Sequence, residues 1–188
     1  MIVLGLDPGT RATGYGVVER RRGTLYVLDY GALQLSADLD HTLRLEKIYQ
    51  LVTEVIDRTL PDEVAVEMPV YGKNPQSLLK LGRAQAAIML AAVHRQRPMT
   101  QYTPKEVKKS VTGNGNAAKQ QVWYMVQQEL RLTESRGLDA SDALAVALCH
   151  SRRVTSGPPA PAGKKRGSTG AAKNWAAFVA ANPDRVKG

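Results

Sequence analysis

Ile2-Val3-Leu4-Gly5-Leu6-Asp7-Pro8-Gly9-Thr10, followed closely by Gly14-Tyr15-Gly16-Val17-Val18, is the stretch whose reading decides the fold. A short apolar run closed by Pro-Gly predicts a buried strand that ends in a turn. Asp7 is the last residue of that strand, a carboxylate carried from the core to the edge of a sheet. Burying an unpaired charge costs several kcal/mol. The rest of the chain therefore has to solvate Asp7, pair it, or bind a cation to it.

Outward from this strand, Tyr15 to Arg20 and Thr24 to Leu35 alternate or run apolar around a turn at Gly23, which predicts an antiparallel meander of three strands. Asp38 or Asp40 is a candidate N-cap for a helix with Leu45, Ile48, Val52, Val55 and Ile56 at helical spacing, up to Leu60-Pro61. Glu63-Val64-Ala65-Val66-Glu67 reads as a second short strand with a carboxylate at its end, stopped by Met68-Pro69. After a loop, Ser77 to Gln96 reads as a long helix, apolar around much of its girth from Ala84 to Val93, and so buried by the sheet and by a second subunit. Met99 to Tyr102 is a brief strand, Pro104 opens a short helix, and Gly113-Asn114-Gly115-Asn116 is a loop. Helices over Ala117 to Leu130 and Leu138 to about Ser151 complete the folded part.

Composition narrows the chemistry. A chain of 188 residues with 43% hydrophobic content can bury one full core. With a single cysteine, Cys149, it has no internal disulfide; His41, His94 and His150 are scattered, which argues against a zinc centre. No leader or membrane-length apolar run is evident, and the expected location is cytoplasmic. The net charge of +9 is unevenly spread, with +7 of it in residues 151 to 188. Within the body, residues 72 to 119 hold nine basic side chains, among them Lys73, Lys80, Arg83, Lys108 and Lys119, against Glu106 alone. A block so one-sided points to a polyanionic partner.

Four acids stand out by position: Asp7 and Glu67 at two strand ends, and Asp139 and Asp142 in Leu138-Asp139-Ala140-Ser141-Asp142-Ala143-Leu144-Ala145. Spacing of i, i+3 puts the last two on one helix face. Packed on the strand ends, that face would assemble a carboxylate cluster that only a cation can keep ionised. Hard oxygen ligands suit magnesium or manganese. Two such ions per site, roughly 3.5 to 4 Å apart, are what phosphodiester hydrolysis uses: Asp7 would bridge, Glu67 and Asp142 would flank, and Asp139 would be a ligand or an outer base. Taken singly, each acid has a plainer reading; Asp139, for instance, would cap the helix by accepting from the Asp142 amide. Lys108, at the end of its helix, and Lys119, near the start of the next, would flank the Gly-Asn loop and meet phosphate. Val70 and Tyr71 either wedge against an unstacked base or pack on the following helix.

Together, Leu6-Asp7-Pro8-Gly9-Thr10 with Gly14-Tyr15-Gly16, Ala65-Val66-Glu67, Lys80-Leu81-Gly82, Val107-Lys108, Lys119 and Asp139-Ala140-Ser141-Asp142-Ala143-Leu144-Ala145 closely resemble the RuvC family of bacterial Holliday junction resolvases, in register over roughly residues 1 to 153. The resemblance implies an α/β, RNase H-like fold, a five-stranded mixed sheet flanked by helices in a single domain. It implies a homodimer that nicks paired strands of a four-way junction and works alongside RuvA and RuvB. It implies catalytic roles for Asp7, Glu67, Asp139 and Asp142 and DNA contacts by Lys108 and Lys119. Where better-known members carry phenylalanine three residues after the Glu, this chain has Val70, then Tyr71. Residues 154 to 188, Pro-, Ala- and Gly-rich and basic, are expected to be a flexible tail, with Trp175, Phe178 and Val179 in a short amphipathic segment.

Two other readings share parts of this pattern. A strand followed by Asp-x-Gly-Thr also cradles phosphates in actin-like and sugar-kinase-like nucleotide binders, although that architecture needs two lobes. A junction-binding protein that does not cut would use the basic block alone.

Overall fold

The computed structural model describes residues 1–9, 11–36, 38–69, 74–133 and 137–156. The expected roles of Val70, Tyr71 and Lys73, and residues 157–188 of the expected tail, lie outside the described residues, while residues 154–156 are helical rather than part of a tail. Strands β1 (Ile2–Asp7), β2 (Ala12–Arg21) and β3 (Thr24–Gln34) form the meander; β4 (Glu63–Glu67) and β5 (Met99–Tyr102) follow after α1 (His41–Thr59) and α2 (Pro75–His94). Helices α3 (Pro104–Thr112), α4 (Lys119–Leu130) and α5 (Leu138–Ser156) complete the order. The sheet runs β3-β2-β1-β4-β5, with β1/β2 and β2/β3 antiparallel and β1/β4 and β4/β5 parallel. This is the five-stranded mixed sheet with flanking helices that the sequence implied.

The strands sort their side chains by alternation. Leu4, Leu6, Val17, Val64 and Val66 face α1 and α2, joining Ile48, Val52, Val55, Ile56, Ala84, Ile88 and Ala92 in one core. Val3, Val18, Ala65 and Tyr102 face the other way, into a second core with Val107, Val122, Val126, Leu144 and Leu148. The result is three layers, helix pair, sheet and helix triplet.

Local signals set the helix ends. Asp40, not Asp38, caps α1: its carboxylate accepts from the Thr42 amide at 2.8 Å. Asn74 caps α2, so this helix begins at Pro75, two residues before the start that apolar spacing suggested. Around α3 a capping box joins Thr103 and Glu106, and Gly113 ends the helix at φ +79°, a conformation glycine adopts without strain. Lys108 consequently sits in the middle of α3 rather than at its end. Helix α5 runs on to Ser156, five residues past the expected Ser151, because Arg152 anchors its last turns to the Ser110 carbonyl and to Glu129 at 2.5 Å. No helix among the described residues is long and apolar enough to cross a membrane.

Candidate active site

Alternation also decides where the acids go. On β1, Val3, Gly5 and Asp7 share the α5 side of the sheet; on β4, Glu63, Ala65 and Glu67 do. The parallel register pairs Val3 with Glu63, Gly5 with Ala65 and Leu6 with Val66, so Asp7 and Glu67 close neighbouring strands at the same end and on the same face. Helix α5 crosses that face with Asp139 and Asp142 in its first turns. Asp139 is the second residue of the helix, so its expected role as the cap is not what it does.

The close approach of α5 depends on residues without side chains to obstruct it. A Cβ built on Gly5 would stand 2.2 Å from the Ala143 carbonyl oxygen, and one on Gly14 would stand 2.0 Å from that of Asp139. Both distances are impossible for real atoms, so glycine is required wherever the helix backbone lies on the strand. Ala140, Ala143 and Ala147 are fully buried on the helix side of this seam.

Glu67, Lys108, Lys119 and Asp142 line a cleft of about 130 Å³, walled by Pro104, Val107, Val122 and Ala145. The acids act on one another through charge. Burial first, then the charges of Glu67, Asp142 and Asp139, push the Asp7 carboxyl from 3.8 up to about 8, against a lowering pull from Lys119. Burial and the Asp142 charge push Glu67 from 4.5 up to about 7, opposed by Lys108 and Lys119. Asp142 is also raised, its burial outweighing the ion pair that Lys119 Nζ makes with it at 2.6 Å. Burial alone would lower Lys119, but Asp142, Asp139 and Asp7 together hold its ammonium charged. The cluster is thus an excess of negative charge that burial resists.

The donor set fits a hard divalent cation: carboxylates from three elements with no thiol or imidazole among them, and one cation, Lys119, already drawn in beside Asp142. Among the described residues no three His, Cys, Asp or Glu side chains are gathered tightly enough to grip an ion as they stand. Lys80 and Arg83 are exposed on α2, and Lys80 borders a different hollow with Gly9, His41 and Arg44.

Two features went unread in the sequence. The glycines within β1 and β2 carry no role in the sequence pattern above, yet Gly inside a strand is itself a signal of close backbone approach. His150, which has no neighbouring ligand in the sequence, is buried and hydrogen-bonded through both ring nitrogens, to Tyr102 and to Glu63.

The family model of crossover junction endodeoxyribonuclease RuvC matches residues 3–150. A relative of that name from Salinibacter ruber is 52% identical over 99% of both chains, and one from Porphyromonas gingivalis is 46% identical over 99% of this chain and 97% of its own. Among solved structures, Thermus thermophilus RuvC superposes with a TM-score of 0.75 at 33% identity, covering 83% of this chain and 96% of that one. The same protein in complex with Holliday junction substrate gives 0.75 at 32% identity, covering 84% and 96%. The yeast mitochondrial Holliday junction resolvase shares the fold alone, at TM-score 0.58 and 14% identity over 80% of this chain and 78% of that one. A sheet that delivers two acids to one edge, a glycine-floored seat for the helix bearing two more, and sequence likeness along the full chain lead to one conclusion: this protein belongs to the RuvC family of crossover junction endodeoxyribonucleases.

Proposed function

We propose that the chain resolves four-way DNA junctions by cutting phosphodiester bonds at Asp7, Glu67, Asp139 and Asp142. The observation that carries this reading is the placement of Asp7 and Glu67 at one end and on one face of adjacent parallel strands, beneath the first turns of α5. Divalent-metal dependence goes with the family. In our reading two magnesium or manganese ions would be held by Asp7, Glu67 and Asp142, and when bound they would supply the charge that activates the attacking water and steadies the leaving oxygen.

The chain's own side chains do the rest. Asp7, Glu67 and Asp142 hold the cations, and Asp139 is a further ligand or accepts the proton of the attacking water. Lys108 and Lys119, in the same cleft as Glu67 and Asp142, neutralise charge that builds on the phosphate as the bond to the leaving oxygen breaks. On DNA's approach Lys119 has a choice of anion, the phosphate or Asp142. Lys80 and Arg83 on the exposed side of α2, with Lys73, extend the contact to the DNA backbone. Val70 or Tyr71 is the candidate for a wedge against an unstacked base.

Paired nicks require two copies of the site. A homodimer through α2 is supported by Leu79, Leu90 and Val93, all more than half exposed on a helix whose other side is core. Cooperation with RuvA and RuvB, in the cytoplasm, completes the reading. The nucleotide-binding alternative is set aside by family membership. A synthetic mobile junction incubated with each metal, with product ends mapped on all four strands, tests the whole. Symmetric nicks in two strands are expected from the native chain; efficient cutting by Asp7→Asn would overturn the assignment.

A further inference from the structure

The seam between α5 and the sheet is smooth. Gly5 and Gly14 meet Ala143, Ala147, Asp139 and Ala140 backbone to backbone. At these two glycines no side chain interlocks, and at neighbouring Gly16 the seat is filled by the apolar side chain of Leu144; such a contact has no fixed direction, so it resists a small shift of the helix along the strands only weakly. Yet Asp139 and Asp142 must stay opposite Asp7 and Glu67 to within a fraction of an ångström for their oxygens to converge. Something directional has to fix the position of the helix.

His150, two turns after Asp142 on the same helix, is 2% exposed and has both ring nitrogens engaged. Nε2 lies 2.8 Å from Glu63 Oε2, and Nδ1 lies 2.8 Å from Tyr102 Oη. An ionised carboxylate only accepts, so in the neutral ring Nε2–H donates to Glu63 and Nδ1 accepts from the Tyr102 hydroxyl. Glu63 opens the strand that Glu67 closes. Tyr102 pairs with Glu67 across the β4/β5 ladder, and its carbonyl accepts from the Met68 amide at 2.8 Å. Hydrogen bonds on the two ends of Tyr102 thus link the Met68 amide, next to Glu67, through Tyr102 and His150 to the helix that carries Asp142.

From this we infer that His150, held between Tyr102 and Glu63, is a positioning residue that fixes α5 on the sheet and so sets the spacing of the acids for their cations. The inference rests on the four-acid site proposed above. It touches neither substrate nor cation directly.

The test uses the full-length chain and two kinds of measurement, manganese binding to the DNA-free protein by titration calorimetry and junction cleavage as a function of metal concentration. His150→Phe keeps the buried ring and removes both hydrogen bonds. The expected result is manganese binding weakened by about tenfold or more, with a matching rise in the metal needed for half-maximal cleavage and junction binding unchanged. His150→Gln, which can still donate to Glu63, should recover part of the loss. Tyr102→Phe, which removes a single hydroxyl, should show a smaller shift and serves as the deciding variant if His150→Phe does not fold. Native manganese affinity and native metal dependence in a folded His150→Phe, or in that case in Tyr102→Phe, would overturn the inference. Asp142→Asn runs alongside: if it too leaves manganese binding unaltered, the fault lies with the four-acid site itself and not with the role of His150.

Discussion

At the scale of single residues, the raised carboxyls give a pH signature with a definite sign. Asp7 at about 8 and Glu67 at about 7 stand above their ordinary values of 3.8 and 4.5, in each case chiefly through burial. The folded chain then binds more protons than the unfolded one between those limits, so the contribution of these groups to stability declines as pH rises across that window. In the presence of a chelator, Asp7→Asn should melt above the native protein at pH 8.5 and equal it near pH 4. Added manganese should reverse the order at pH 8.5, and differential scanning fluorimetry reads both. Because protons and cations compete for the same oxygens, manganese affinity should strengthen from pH 6 to pH 8.5, which calorimetry measures directly. Asp7→Asn and Glu67→Gln should each reduce cleavage by about a thousandfold or more, the loss of several kcal/mol of transition-state stabilisation, with junction binding retained in gel-shift assays. Lys119→Ala should weaken binding and lower the slope of log affinity against log salt by about one, the counterion released by one phosphate contact.

At the scale of elements, the legible part and the hidden part of the site divide along a physical line. Strand ends, helix spans and the four acids follow from period-2 and period-3.6 patterns and from breakers such as Pro8-Gly9 and Met68-Pro69, all of them local in sequence. Even the shared face of Asp7 and Glu67 is written in Val3-Gly5-Asp7 and Glu63-Ala65-Glu67, once the strands are known to be parallel neighbours. What could not be read was pairing at long range. His150 meets Glu63, 87 residues away, and nothing near either residue announces the other. The reading of Asp139 as a cap falls on local grounds instead: α5 starts at Leu138, as its sequence pattern predicts, two residues before the start that a cap at Asp139 requires, behind Gly137 at φ +93°. The seat of α5 makes its own prediction. Gly14→Ala would drive a methyl group into the Asp139 carbonyl and displace the first turn of the helix. A stability cost of about 1–3 kcal/mol is expected, readable by urea denaturation, together with a loss of cleavage larger than that of an equally destabilising substitution in the opposite core, Val52→Ala.

At the scale of the whole molecule, the outward face of α2 bears on assembly. Replacing Leu90 and Val93, 52% and 62% exposed, by glutamate should leave the fold intact because neither belongs to the core. Sedimentation should then show monomers, and the double variant should nick single strands where the native chain nicks pairs. The order in which the chain brings its acids together has a different consequence. Asp7 is made 132 residues before Asp139, which with Asp142 rides on α5, the final described element, covering the glycine floor laid down by β1 and β2. A nascent or truncated polypeptide ending before Leu138 therefore owns the strands and half of the acids but no means of closing them into a blade. On the four-acid reading, harmlessness toward DNA during translation is then a property of the topology, since the cutting edge stays unassembled until α5 leaves the ribosome.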